Sequence, residues 1–346
     1  MSKKLTIILT LKDRIDFTYR WMNYMNDIKC PYHILIADGG ESKSVENGLS
    51  DYSKYPNLNY TYIRYPFDRD LSIFYKKLVD VIARVTTPYM LLADNDDFYI
   101  LDHFYDYINF LDKNQDYVSC GGSSILLRLL NKDNEVVNDT IGYNFSTFLY
   151  NQPRTIDNEI NIDRIQYFFT NVEPNLLWWN WNNIHRKDIM VKIFNYINSI
   201  RPLEIVVMEI YFHLALLNHG KIKQFESIFY VRQDGTSQLT KSVNNHFNLS
   251  ERFIINNSIQ DVMKLVDVLF NLENRVLVKR GVVKWFILAS NNIYQDPNEL
   301  KKRNNFINCL SYLKNFLIFF KHKQLKYFRI SNIEKYLSAK KKTPNL

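Results

Sequence analysis

Cysteine, glycine and proline are all scarce in this chain. Three cysteines, Cys30, Cys120 and Cys309, are scattered over 346 residues. An odd number with no CxxC pair excludes a disulfide framework and a cysteine zinc site, and fits a reducing compartment. With 9 glycines and 9 prolines, collagen-like and low-complexity classes are excluded too. No apolar run reaches the roughly 18 residues of a membrane span. The N-terminal run ends at Leu11 against Lys12 and Asp13, and Phe316 to Phe320 is flanked by Lys314 and Lys321. Neither GxGxxG nor GxxxxGK occurs, so dinucleotide and P-loop readings lose their main support. What is present, 46% hydrophobic and 23% charged residues, is a folding chain long enough for one large domain or two ordinary ones.

Charge is unevenly placed. Residues 310–346 hold nine Lys and Arg against one Glu, which is the whole formal net charge of +8, and the remainder is balanced. A balanced main body argues against nucleic acid as a partner, because phosphate neutralisation needs a concentrated basic face. The tail, interleaved with Phe316, Phe319, Phe320, Tyr327 and Phe328, suits an anionic membrane surface or another polyanion, or equally a solvated helix end.

In the first hundred residues, β-rich runs at Leu5–Leu11, His33–Ala37, Asn59–Arg64 and Tyr89–Ala93 alternate with helical spacing at Phe17–Ile28 and Ile73–Val85. That alternation predicts an α/β fold, a mostly parallel sheet flanked by helices, with functional groups at the carboxyl ends of the strands. Tyr105–Leu111 reads as a helix, Tyr117–Ser119 and Ser124–Leu130 as strands, Ile210–Asn218 as a helix capped by Gly220, and Ile228–Arg232 as a strand. The polar stretch 131–166 carries no clear pattern and reads as loops. From about Leu249 only helical spacing remains, so the expected division is a domain over 1–240 and a helical, basic C-terminal region over 241–346.

The sharpest motif is Leu91-Leu92-Ala93-Asp94-Asn95-Asp96-Asp97-Phe98. Three carboxylates at one strand end repel each other unless a cation or donors neutralise them, which points to a hard divalent ion such as Mg²⁺ or Mn²⁺. The competing reading is helix capping by Asp96 and Asp97. Asp38, in Ile36-Ala37-Asp38-Gly39-Gly40, ends the second strand on a glycine turn; it is placed either for a nucleotide base or simply for the turn.

Together with the opening strand LTIILTLKDR and a later helix with its glycine, these pieces over Lys4 to Gly235 resemble the nucleotide-diphospho-sugar glycosyltransferases of the GT-A fold, a Rossmann-like architecture, specifically the bacterial family 2-like group. The resemblance implies Asp94 on the donor ribose and metal, Asp96 on the metal, with Asp97 as neighbour or alternate ligand, and Asp38 on the base. Thr10 to Arg14 falls where the first loop frames the nucleotide, without the group's usual proline and asparagine. Lys76 and Lys77 lie near a position that meets the diphosphate, and Arg232 in Tyr230-Val231-Arg232-Gln233-Asp234-Gly235 matches a diphosphate or metal contact. His246 is a candidate third metal ligand. Glu209 stands eleven residues before Gly220, the distance of the group's catalytic base from its glycine, although the group usually has aspartate there; Glu204 is the rival. Trp178, Trp181 and Arg186 precede this base, where the group builds its acceptor site, and the tryptophans would serve a core equally well.

The resemblance thus implies an inverting, Mn²⁺- or Mg²⁺-dependent enzyme moving sugar from a nucleotide-diphosphate donor, a UDP-sugar being favoured, to a glycan or lipid-linked glycan in bacterial surface polysaccharide or glycoconjugate synthesis. The implied location is cytoplasmic, peripheral at the inner face of the plasma membrane through residues 310–346. The alternatives are a sugar-1-phosphate nucleotidyltransferase, disfavoured by a first loop without glycine, and a noncatalytic glycan- or membrane-surface-binding protein on the same fold.

Overall fold

A computed structural model describes residues 4–137, 139–149, 154–171, 180–233, 258–271, 274–283, 333 and 335–337. Its first half follows the sequence closely: β1 (Leu5–Leu11), α1 (Ile15–Asp27), β2 (His33–Asp38), the short α2 (Ser44–Leu49), β3 (Asn59–Arg64), α3 (Leu71–Ala83) and β4 (Tyr89–Asp94). After these come β5 (Phe98–Tyr99), α4 (Phe104–Lys113), β6 (Tyr117–Leu130), β7 (Asn144–Leu149), α5 (Asn161–Asn171), β8 (Ile184–Arg186), α6 (Lys187–Ile200), α7 (Ile205–His219), β9 (Lys221–Gln233) and α8 (Ser258–Leu269). Residues 274–283 are also helical.

The described strands form one sheet in the order β3-β2-β1-β4-β8-β6-β9-β5, with β7 beside β6. The pairs among β1 to β4 and between β6 and β9 are parallel, and β8 runs antiparallel between β4 and β6. The expected mostly parallel α/β architecture is therefore present.

Both faces of β1, β2 and β4 are covered, which is why their sequences are nearly continuously apolar rather than alternating. Ile8, Leu35, Met90 and Leu92 point into one core with α3, α6, α7 and α8. Their neighbours Ile7, Leu9, Ile34, Ile36 and Leu91 point into the other, against α1 and α4. Truncating a fully buried side chain of this kind, Leu92→Ala for instance, costs about 2–5 kcal/mol.

The C-terminal pieces join these cores. Val262, Leu265, Val266, Val278 and Val282 belong to the first, and Ile333 and Leu337 to the second.

Three local readings change. Residues 117–130 are one continuous strand with register shifts near Gly121 and Gly122. A Cβ on Gly121 would overlap the Asn183 side chain, and one on Gly122 would meet the Tyr107 hydroxyl and the Ser227 carbonyl. The pair is thus a packing requirement inside a strand and not a break. The stretch 131–166 read as loops includes β7 and the start of α5. The third concerns α7, which starts at Ile205, five residues before the expected Ile210, and ends at His219 with Gly220 as its cap residue, though Gly220 has extended backbone with φ 176. Its lack of a side chain matters because a Cβ would press on the Asp116 carbonyl and Val118.

Candidate active site

Strand order reverses direction at β1, whose neighbours are β2 and β4, so the crevice beyond the carboxyl ends of these three strands is where an α/β sheet places ligands. Register puts Thr10 beside Ala37 and Asp94, and Leu11 beside Asp38. Strands lie about 4.8 Å apart, so Thr10, Asp38 and Asp94 stand as three adjacent posts at one sheet edge.

The β1 and β2 loops are tied together here. The Gly39 amide donates to the Leu11 carbonyl at 3.0 Å, and the Glu41 amide to Asp13 Oδ1 at 2.8 Å. Asp13 and Arg14 both adopt left-handed backbone, φ 57 and 60, a conformation that costs side-chain-bearing residues about 1–2 kcal/mol each. Gly40 lies so close that a Cβ would meet the Asp13 amide at 2.8 Å. Asp38 is buried and accepts from the Gly40 amide at 2.8 Å, the Tyr62 hydroxyl at 2.5 Å and Arg64 Nη1 at 2.9 Å. Arg64 also donates to the carbonyls of Gly40, Glu41 and Ser42, which holds the whole glycine turn.

Of the two lysines considered for the diphosphate, Lys76 is exposed, whereas the fold turns Lys77 inward. Lys77 donates to the Leu11 carbonyl at 3.0 Å and pairs with buried Asp68.

The acidic turn after β4 is held from several sides. Asp94 is half-buried; Asp96 and Asp97 are buried. Arg14 Nη1 pairs with Asp96 Oδ2 at 2.9 Å, and Arg20 Nη2 donates to the Asp96 carbonyl at 2.9 Å. Asp97 accepts from the Tyr230 hydroxyl and, at 2.8 Å, from the Gln233 amide. Its two oxygens are therefore taken up within the protein, which makes it a buttress of the turn. Burial, then the neighbouring Asp96 charge, pushes the Asp94 carboxyl up to about 7, opposed by Arg232, Arg14 and a Thr10 hydrogen bond. Burial and Asp96 raise Asp97 as well. Arg232, on the last strand, sits among Tyr230, Asp97, Asp94 and Asp96, whose charges outweigh its burial and hold its guanidinium protonated.

Glu209 belongs to the same electrostatic cluster. It lies in the second turn of α7 rather than at the helix start, because the helix begins four residues earlier with Glu204 as its cap residue. Helix capping therefore does not explain it. Burial pushes its carboxyl up to about 7, with Arg232 pulling it down and Asp94 pushing it up. A half-buried carboxyl titrating near neutrality beside an arginine and a second acid is suited to take a proton at working pH. His213, one turn on, bonds the Glu209 carbonyl through Nδ1 at 2.8 Å, and burial lowers its imidazole to about 4, so it stays neutral.

Whether the site suits a divalent ion turns on donor chemistry. Asp94 and Asp96 offer hard carboxylate oxygens whose mutual repulsion is only partly offset by Arg14 and Arg232. Among the described residues no group of three His, Cys, Asp or Glu side chains forms a metal site. Mg²⁺ and Mn²⁺ do not require one: two carboxylates with water and substrate phosphate oxygens match their habit. The residues fit. The expected third ligand, His246, and the acceptor candidate Trp178 lie outside the described residues.

The remaining acceptor candidates are packed against other parts of the protein. Trp181 is half-buried with its ring centroid 5.8 Å from that of Phe194 and 5.6 Å from that of Phe212, inside the first core. Arg186 pairs in register with Tyr89, at the opposite end of β4 from Asp94. Five residues of strand separate those ends, about 16 Å. Its guanidinium donates to the carbonyls of Tyr117 at 2.8 Å, Leu111 at 2.6 Å and Asn114 at 3.0 Å. It staples the turn between α4 and β6, at the far end of β4 from the acidic turn. Sequence reasoning missed Tyr230, Gln233 and Arg20; the signal for Arg20 was an arginine on the apolar face of α1, where it is 6% exposed.

The chain matches no protein-family model and no curated protein. Among solved structures it resembles Staphylococcus aureus TarS residues 1–349, at TM-score 0.43 and 13% identity over 85% of this chain and 93% of that one. The same TarS fragment in complex with UDP-GlcNAc aligns at TM-score 0.45 and 13% identity, over 76% and 66%. The mannosyltransferase PcManGT of Pyrobaculum calidifontis, in complex with GDP-Man and Mn²⁺, aligns at TM-score 0.43 and 7% identity, over 84% and 87%. Among the described residues no helix is long and apolar enough to cross a membrane.

Proposed function

We propose that this protein is an inverting glycosyltransferase that takes its sugar from a nucleotide diphosphate and passes it to a hydroxyl of a glycan or lipid-linked glycan. The observation that carries the reading is the acidic turn at the carboxyl end of β4, with Asp94 in register beside Thr10 and Asp96 paired with Arg14. Glu209 and Arg232 lie near enough to Asp94 for their charges to act on one another.

In this reading Asp38, held by Tyr62, Arg64 and the Gly40 amide, shapes the glycine turn beside the nucleotide base, and the β1 loop through Thr10 and Arg14 frames the nucleoside. Glu209 removes the proton from the acceptor hydroxyl as that oxygen bonds the anomeric carbon. The bond from that carbon to the diphosphate oxygen breaks on the opposite face, so configuration inverts. Arg232 faces the negative charge that develops on the leaving diphosphate. Asp94 and Asp96 would hold Mn²⁺ or Mg²⁺, which supplies further neutralisation of that charge. Asp97, bonded by Tyr230 and Gln233, keeps the turn in place. The basic segment 310–346 would hold the enzyme near membrane-bound acceptors.

Calorimetry with UDP- and GDP-sugars tests the assignment of roles. Glu209→Gln should bind donor with wild-type affinity in Mn²⁺, whereas Asp94→Asn should lose the Mn²⁺-dependent part. Loss of donor binding in Glu209→Gln would contradict the placement of Glu209 as a base facing the acceptor.

A further inference from the structure

Helix α1 carries a second attachment besides Arg20. On its outer side Asp27 pairs with Lys335 at 2.6 Å and accepts from the Tyr336 hydroxyl, which also donates to the Asn23 carbonyl at 3.3 Å. The Tyr336 ring stands edge-on to Tyr24 at 5.6 Å. Ile333 and Leu337 are 2% and 1% exposed within the second core. A segment more than 300 residues away in sequence is thus seated on α1 by two apolar anchors, an ion pair and hydrogen bonds.

The same segment reaches toward the acidic turn. The Gly142 amide donates to the Leu337 carbonyl at 2.8 Å. Two residues earlier, the Thr140 carbonyl accepts from Arg20 Nη1 at 3.0 Å, while Arg20 Nη2 holds the Asp96 carbonyl. The Asp139 carbonyl accepts from Gln233 Nε2 at 2.7 Å, and the Gln233 amide holds Asp97 Oδ1. Two hydrogen-bonded routes therefore run from Leu337 through residues 139–142 to the backbone and side chain of the acidic turn. Both cross residues otherwise committed to the site.

We propose that Ile333 and residues 335–337 act as an activating strap, positioning the Asp94 to Asp97 turn through residues 139–142, Arg20 and Gln233. The role assigned to that turn rests on the transferase reading above; the strap and its two routes do not. Arg20, Gln233 and Leu337 are positioning residues. None is required to touch the substrate, yet misplacing a catalytic constellation by about 1 Å costs up to about 100-fold in rate.

The test compares full-length wild type, Leu337→Asp and the milder Tyr336→Phe by residue-resolved hydrogen exchange and steady-state kinetics. Leu337→Asp should speed exchange of the Gly142 amide, and with it the Gln233 amide, about tenfold or more. The Ile34 and Leu35 amides in β2 should stay protected, showing an intact fold. Turnover should fall about tenfold or more, with donor KM changed less than kcat because the Asp38 and Arg64 cradle is untouched. Tyr336→Phe should show the same changes at smaller amplitude, and it carries the comparison if Leu337→Asp does not fold.

Unchanged Gly142 exchange would overturn the docking. Faster Gly142 exchange with unchanged Gln233 exchange would overturn the coupling, and so would unchanged kcat in an active enzyme. Wild type inactive on every donor, with both exchange changes present, would sink the transferase reading while upholding the strap.

Discussion

Glu209→Gln should inactivate the protein and stabilise it at once. The wild-type carboxyl rises from an ordinary 4.5 to about 7 on folding, chiefly through burial. Below 4.5 both folded and unfolded chains carry the proton, and the site costs nothing. Between 4.5 and about 7 the unfolded chain releases it while the folded one retains it, so stability falls as pH rises through that window. Above about 7 the full cost stands, up to about 3 kcal/mol at 1.36 kcal/mol per pH unit. Glutamine has nearly the same shape and no charge to bury. At pH 8, without nucleotide or metal, Glu209→Gln should therefore melt about 5 °C above wild type. At pH 5 the gain should shrink to under about 1 kcal/mol. Differential scanning calorimetry at the two pH values reads this directly. A variant less stable than wild type at pH 8, or a gain equal at both values, would refute the claim that Glu209 is a strained, destabilised acid in this fold.

Three further outcomes follow from the geometry. The kcat/KM profile of the wild type should lose activity as pH falls through about 7, since the base must be ionised; Arg232→Gln should move that limb upward, because Arg232 favours the Glu209 carboxylate. Lys77→Met should cost about 3–5 kcal/mol in denaturant unfolding by stranding buried Asp68, and pairing it with Asp68→Leu should recover most of the loss. Arg186→Ala should lower the melting temperature by the equivalent of about 1–3 kcal/mol, through three abandoned carbonyls, while leaving acceptor KM unchanged. A raised acceptor KM there would return Arg186 to the acceptor site.

The first four strands and their helices were legible because β1, β2 and β4 are apolar on both faces, β3 is rich in tyrosine, threonine and isoleucine, and the longer helices show one apolar side. Ser44–Leu49 and β8 were not. Six helical residues are too few to show a stripe, and Ile184–Arg186 is a strand only because β4 and β6 leave a gap between them. Helix α7 was read short since Ile205, Val207 and Met208 continue an apolar surface with no polar side to mark the turn.

The acidic turn was visible because three like charges at one strand end repel unless a cation or donors neutralise them. What holds it was not, since Tyr230 and Gln233 reach Asp97 across more than 130 residues of sequence. The partners of Arg186 were hidden for a related reason: its three carbonyls lie about 70 residues away in sequence. The strap at Leu337 was not legible because two apolar anchors four residues apart, Ile333 and Leu337, are too few to mark a buried segment within a basic tail.

The central claim is tested most directly by nucleotide release from a panel of nucleotide sugars in Mn²⁺ or Mg²⁺, comparing wild type with Asp96→Ala and Glu209→Gln. The account predicts metal-dependent release by wild type with at least one donor, and its fall by about 100-fold or more in both variants. Silence of the wild type across the panel, with no metal-dependent nucleotide binding, would contradict it, as would full activity in Glu209→Gln.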